Sequence, residues 1–280
     1  GGLYNVTDSS LLLDGSTLRG NSAAVHGGGL FNDGMLTVTQ VTISDGAASE
    51  YGGGLYNFGT MSLTHVTFNA NTAPLGGGRF NDQTATLTDV TLNGNIAGLD
   101  GGGLFNSFGQ ATLTNTTLSG NSANNHGGGL YNFGTMSLTH VTLDGNTAGV
   151  SGGGIHHVLG NMSVRASIVA NSSSGGNCAG TLTNTGFNLS SDASCGGFNQ
   201  VANVMLGPLA NNGGTTLTHL LQPGSPAIDF VAVGCPPPAT DQRGASRPVD
   251  GDGVGGAACD VGAVEYGVVI STVYLPLLIK

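Results

Sequence analysis

The chain has 280 residues, 51 of them glycine, with 39% hydrophobic and only 8% charged positions. So little charge beside so many apolar residues excludes low-complexity disorder. Six basic residues against sixteen acidic ones give a net charge of -10, and Lys280 is the sole lysine, which leaves no basic stripe for nucleic-acid phosphates or an anionic membrane.

From the first residue the chain repeats. Gly1-Gly2-Leu3-Tyr4-Asn5 is a short copy of a motif that recurs with a full glycine triplet at Gly27, Gly52, Gly76, Gly101, Gly127 and Gly152, at intervals of 25, 24, 25, 26 and 25 residues. Such regularity means that each copy buries its apolar face only against its neighbours, as in a solenoid. Because Gly1 falls inside a repeat, the chain reads as a mature or truncated form without a signal peptide, and its first coil is expected to leave a strand edge open.

The copy from Gly52 to Ala73 shows how one unit works. Apolar and polar residues alternate over Leu55–Asn57, Met61–Leu63 and Val66–Phe68, with breaks at Phe58-Gly59, Thr64-His65 and from Asn69 to Gly76. Three short period-2 segments per repeat predict three strands, hence an all-β fold: a right-handed parallel β-helix whose coils rise by about 4.8 Å. Leucine-rich repeats have a similar length, but the Thr, Ser, Gly and Asn left over here are poor material for their convex helical segment. Two interior columns are expected, Leu13, Leu36, Leu63, Leu87, Leu113 and Leu138, then Leu18, Ile43, Phe68, Leu92, Leu118 and Leu143, with Leu36 out of step.

Two asparagine columns stand out beside them: Asn5, Asn32, Asn57, Asn81, Asn106 and Asn132, then Asn21, Asn71, Asn95, Asn121, Asn146 and Asn171. An amide both donates and accepts, so identical amides stacked at coil spacing can bond to one another and to turn backbone; their role is structural. Tyr4, Phe31, Tyr56, Phe80, Phe105 and Tyr131 alternate with inward leucines and are expected to form an outward aromatic stripe, widened by Phe58, Phe108 and Phe133. Such a stripe could stack on sugar rings or bury itself against another copy of the chain.

Enzyme signatures are weak along the coils. The acids Asp33, Asp45, Glu50, Asp82, Asp89, Asp100 and Asp144 do not pair at one phase on neighbouring coils with a base beside them, so no catalytic residue is assigned. His26 and His126 precede glycine triplets in a way that mimics a lipase oxyanion-hole motif, yet no G-x-S-x-G elbow exists. His65 and His140 occupy equivalent turns too far apart to share a metal, and His156-His157 reads as the end of the ladder.

After Asn171 the triplets cease, and residues 172–205 are expected to continue as irregular coils. Residues 206–267 are rich in Pro and Gly, with Gly207-Pro208-Leu209, Asn212-Gly213-Gly214, Pro223-Gly224-Ser225-Pro226-Ala227-Ile228-Asp229, Asp241-Gln242-Arg243-Gly244 and Cys259-Asp260-Val261-Gly262-Ala263. With the glycine-triplet coils, these words resemble the secreted bacterial β-helix proteins that end in a choice-of-anchor Q domain. That resemblance spans nearly the whole chain and implies an extracellular or cell-surface location and a C-terminal cap, with no established reaction.

Cys178, Cys195, Cys235 and Cys259 contain no CxxC pair and suit disulfides in an oxidising compartment. Three connectivities are possible, of which Cys178 with Cys195 and Cys235 with Cys259 each close a short loop. Asp250-Gly-Asp252-Gly resembles the start of a calcium loop, with Asp260 nearby in sequence, although Val254 breaks the EF-hand pattern; the competing reading is a solvated turn or an ion pair to Arg243 or Arg247. Asn5, Asn115, Asn161, Asn171 and Asn188 head possible glycosylation sequons.

The closing run 268–280 has strand composition, is too short to span a bilayer, and resembles the apolar tails of some secreted Chloroflexota proteins. Its apolar residues Val268, Val269, Ile270, Val273, Tyr274, Leu275, Leu277, Leu278 and Ile279 are expected to pair with another subunit or to fold back in cis. The expected function is that of a non-enzymatic extracellular structural protein, self-associating head to tail by strand addition or adhesive at the cell surface. The alternative is a carbohydrate-binding or polysaccharide-cleaving module that uses glycans through the aromatic stripe.

Overall fold

The computed structural model describes residues 1–235 and 237–268. These fold as a parallel β-solenoid with no helix among them. The first sheet stacks eight three- or two-residue strands, Leu3–Asn5, Leu30–Asn32, Leu55–Asn57, Arg79–Asn81, Leu104–Asn106, Leu130–Asn132, Ile155–His157 and Cys178–Ala179, one from each lap. The second sheet carries two strands per lap, such as Thr60–Thr64 and Thr67–Asn69, which fuse across the corner into Gln110–Ser119 and Thr135–Asp144. A third sheet of six short strands, including Ala47–Ala48, Thr72–Leu75 and Ile96–Asp100, occupies the stretch that the sequence pattern marks only as a turn. A regular lap therefore has four strand positions, the fourth running for two to five residues inside the stretch that reads as a break.

The corner inside the second sheet is made by one residue per lap in the left-handed region: Gln40, His65, Asp89, Asn115 and His140, with φ of 54°, 55°, 56°, 47° and 51°. Asn, Asp and His tolerate this conformation better than β-branched residues do. The triplet has a different logic. Gly52 supplies a φ of 64°, while a Cβ on Gly53 would lie 2.4 Å from the Thr72 carbonyl oxygen and one on Gly54 2.5 Å from that of Gly78. The first glycine thus turns the chain and the other two let neighbouring laps close up.

Register confirms the second interior column, Leu18 to Leu143, and corrects the first: Val38, not Leu36, lies between Leu13 and Leu63. Leu36 belongs two residues earlier, in the inward column of Leu11, Met61, Ala85, Ala111, Met136 and Met162. A lap can slip by two residues without turning its side chains inside out, so alternation alone cannot separate the two columns. Each interior leucine contributes about 1.5–3 kcal/mol on burial.

Strands Cys178–Ala179, Thr183–Asn184 and Leu189–Ser190 pair in parallel with the preceding lap, so the winding continues irregularly past residue 171. Both disulfides join the cysteines closest in sequence, Cys178 to Cys195 and Cys235 to Cys259. The region from residue 206 is irregular and carries the Cys235–Cys259 disulfide, as expected. It forms an antiparallel hairpin, Leu206–Ala210 with Thr218–Leu221, and lies along the flank of the winding. Thr216 Oγ1 donates to the Asp89 carbonyl at 3.2 Å, Thr91 Oγ1 to that of Leu217 at 2.7 Å, and Asn115 Nδ2 to that of Thr240 at 2.8 Å. Further along, Ala263 N donates to Thr142 Oγ1 at 3.0 Å and Gly262 N to the Ala166 carbonyl at 2.9 Å. The segment is a lateral brace across successive laps; its prolines cannot donate to a ladder and so do not form another rung.

Candidate functional site

The first asparagine column is a continuous chain of amides. Nδ2 donates to the next Oδ1 from Asn5 through Asn32, Asn57, Asn81 and Asn106 to Asn132, every step between 2.7 and 2.8 Å. His157 Nδ1 closes it, 3.0 Å from Asn132 Nδ2. The second column holds from Asn71 through Asn95 and Asn121 to Asn146, each link 2.9 Å, with each Nδ2 also donating to backbone of the preceding lap. Asn21 and Asn171 fall outside this ladder. Gly46 stands in the lap after Asn21 and offers no amide, its backbone N donating instead to Asn71 Oδ1 at 2.9 Å. Asn171 occupies the left-handed turn one position earlier, with φ 57°, and is exposed; buried Asn177 takes the place near it, donating to the Val169 carbonyl at 2.9 Å. Asn5, Asn115 and Asn188 are buried, which leaves only Asn161 and Asn171 among the five sequons open to a glycan.

The aromatic stripe exists but is turned on itself. Tyr56 on Phe80, Phe80 on Phe105, Phe105 on Tyr131 and Tyr131 on His156 are inclined by only 19°, 6°, 16° and 4°, at centroid separations of 4.6–5.3 Å. Phe31 joins at a tilt, Tyr4 packs edge-on, and Tyr51 and His26 flank Tyr56. Ring faces therefore meet ring faces along the axis, and only edges point outward, whereas a sugar platform needs a free face. Burial, with Asp82 nearby, pushes the Tyr56 hydroxyl up to about 12. Of the six stacked positions Tyr4 alone is exposed, at 61%, and among the flanking rings Phe58 and Phe108 are exposed, Phe108 to 74%.

Glycine triplets do not form oxyanion cradles. After His126, the backbone N of Gly127, Gly128 and Gly129 donate to the carbonyls of Ser151, Gly152 and Gly153 at 3.1, 3.2 and 2.9 Å; after His26 the same pattern holds with Tyr51, Gly52 and Gly54. One cluster escaped the sequence reading. Ser151 Oγ lies between His126 Nδ1 at 2.9 Å and His156 Nδ1 at 3.0 Å, brought together because the chain meets the same corner one lap later. Burial and His126 lower the His156 pKa. Acyl transfer there would require free N–H donors, and those of Gly152, Gly153 and Gly154 are spent on Gly175, Gly176 and Asn177.

The acidic segment is also rearranged. Asp250 and Asp252 gather with Asp229, not with Asp260: one carboxylate oxygen of each lies within 4.8 Å of the others, a set that could hold a hard cation such as calcium. Asp229 Oδ2 already accepts the backbone N of Gly251 and Asp252, both at 3.0 Å. Asp260 is buried and ties the brace internally, accepting the Asp229 N at 2.7 Å and the Tyr266 N; burial pushes its carboxyl up to about 6. Nor do the arginines reach Asp250 or Asp252. Arg243 holds Asp241 and Arg247 holds Glu265, each at 2.7 Å and buried. Around them Gln242 Nε2 donates to Thr91 Oγ1 and Thr216 Oγ1, both at 2.9 Å, while its Oε1 accepts Thr117 Oγ1 at 2.7 Å.

What faces outward is a sheet of hydroxyls, of which Ser137 Oγ accepts Ser163 Oγ at 3.2 Å and the column nearer the corner is half-buried. On Met35–Thr39, Thr60–Thr64, Thr84–Thr88, Gln110–Thr114 and Thr135–Thr139 the in-register outward columns read Thr37, Ser62, Thr86, Thr112, Ser137 and Thr39, Thr64, Thr88, Thr114, Thr139. The columns are one pleat apart and successive rungs about 4.8 Å apart, and these five strands carry no charged residue in a chain of net charge -10. Of the apolar tail only Val268 is described, its carbonyl accepting Arg243 Nη1 at 3.2 Å; Val269, Ile270, Val273, Tyr274, Leu275, Leu277, Leu278 and Ile279 lie outside the described residues. No helix among the described residues is long and apolar enough to cross a membrane. The chain matches no protein-family model, no curated protein and no solved structure.

Proposed function

We propose that the protein is a non-enzymatic extracellular structural solenoid that adheres to surfaces through its hydroxyl face. The observation that carries this reading is the two-column Thr/Ser array, an uncharged and repeating surface on an otherwise acidic molecule. The central rings of the aromatic column stack on one another, and the triplet N–H groups and the laddered asparagine amides are bonded internally, which leaves these hydroxyls as the longest run of repeated groups facing outward. A target with its own repeat, such as a polysaccharide surface, would engage many weak contacts at once, and affinity would come from their number. The two disulfides and the resemblance to choice-of-anchor Q proteins support a secreted setting, where such adhesion takes place.

A pull-down on insoluble polysaccharides and on whole cells tests the reading. Replacing Thr37, Thr86 and Thr112 by glutamate should abolish retention while the circular dichroism stays that of the parent. Equal retention of the variant would refute adhesion through this face. Head-to-tail filaments built by residues 268–280 are a separate part of the proposal, checked by electron microscopy of the chain with and without that segment.

A further inference from the structure

The column Leu3, Leu30, Leu55, Leu104, Leu130 and Ile155 points into the winding, and at one lap the residue in register is Arg79. Its side chain is 0% exposed. Nε, Nη1 and Nη2 all lack a hydrogen-bond partner among the described residues, and no carboxylate forms an ion pair with it. The acids of its own lap, Asp82, Asp89 and Asp100, sit in outward or corner positions, partly open to solvent. An isolated guanidinium in an apolar interior is among the costliest arrangements a protein can hold, worth several kcal/mol even after relaxation.

Small residues on its own lap and the next offset its size. Facing positions in the column of Leu36, Met61, Met136 and Met162 are Ala85 and Ala111, on the lap of Arg79 and the next. Relative to a leucine–methionine lap, the lap of Arg79 and Ala85 balances, since about three side-chain heavy atoms are gained and about three lost, and the next lap, with Leu104 and Ala111, is left short by about three. Thr116 replaces the column's valines Val66 and Val90 on the lap after Arg79 and is itself fully buried. Burial lowers the Arg79 pKa to about 9, which still leaves a cation at neutral pH.

We infer that the interior beside Arg79 is a binding site for one small monatomic anion of the halide class, enclosed as the laps close. Water would satisfy donors but leave the charge uncompensated; a halide satisfies several N–H groups without directional demands and neutralises the guanidinium. The shortfall in packing suits a single ion rather than a hydrated oxyanion.

Unfolding of the full chain is to be measured in sodium chloride, sodium bromide and sodium gluconate at equal ionic strength, for the parent, Arg79→Leu and Arg79→Met. The expected result is that the parent's folded-to-unfolded ratio rises up to tenfold per tenfold increase in halide, while both variants show no such rise over gluconate. Leucine restores the column's own residue, and methionine keeps an unbranched stem without charge, so at least one folded comparison is secured. Crystals of protein refolded in bromide should show an anomalous peak within hydrogen-bonding distance of the Arg79 guanidinium. A halide response that is absent from the parent or equal in both variants, or bromide crystals with no such peak, overturns the inference.

Discussion

Asn106 accepts from Asn81 and donates to Asn132, so its removal strands two buried partners at once. Asn106→Leu should cost about 2–3 kcal/mol in urea denaturation, the desolvation of orphaned polar groups, whereas Asn171→Gly, which keeps the left-handed turn, should stay within about 0.5 kcal/mol. A cost for Asn171 equal to that for Asn106 would place both in one ladder, against the register seen here. The two amide columns were legible in the sequence because their asparagines recur near a coil-length period; Asn171 was misread because one extra residue between His157 and Met162 shifts the phase before it is reached. Arg79 was missed for a different reason. A repeat motif built on glycine and asparagine draws attention to what recurs, and the lone departure from leucine carries its meaning only once its burial is known.

Among the elements, the brace was the least legible. Gln242 reaches Thr91 and Thr117 across more than a hundred residues, a contact with no periodic signature, and the threonines it binds look like any other outward threonine. Gln242→Ala should loosen the brace by about 2–3 kcal/mol and raise hydrogen exchange over residues 206–268 while leaving the winding's far-ultraviolet spectrum unchanged. His140 belongs to the same seam. Burial is the largest cause holding its pKa down to about 3, below the ordinary 6.5 of a histidine, so the folded state prefers the neutral ring. That preference is fully present above pH 6.5 and is lost as pH falls toward 3, at up to about 1.4 kcal/mol per unit. Asp260, raised to about 6 by burial, acts in the opposite sense: its share is present below the ordinary aspartate range and lost as pH rises through 6. Against His140→Asn, a residue the corner accepts at Asn115, the parent should lose stability more steeply between pH 6.5 and 4; parallel curves would show that His140 does not titrate on unfolding.

For the molecule as a whole, the fold class was readable from spacing alone, since six triplets at a coil-length interval admit few other architectures. The placement of function was not, because ring orientation and backbone bonding decide which repeated groups are free, and neither is written in composition. Repeat logic also makes a prediction. Deleting residues 27–51, one full lap outside the brace, should leave a folded chain with its ladder rejoined, because Gly52 can follow His26 in the same phase. Deleting 101–126 removes Asn115 and Thr117, both brace contacts, and should release residues 206–268 to protease. Equal proteolytic resistance of the two deletions would deny the brace any structural weight.

Such a lateral strap changes how the rod answers to tension. Among the described residues the coils before Asp89 make no hydrogen bond to the strap, and they should peel away one after another when the first residue is pulled, each at a similar modest force. From Asp89 onward the strap shares the load among several turns, so the unravelling front should halt there and give way in a single larger rupture.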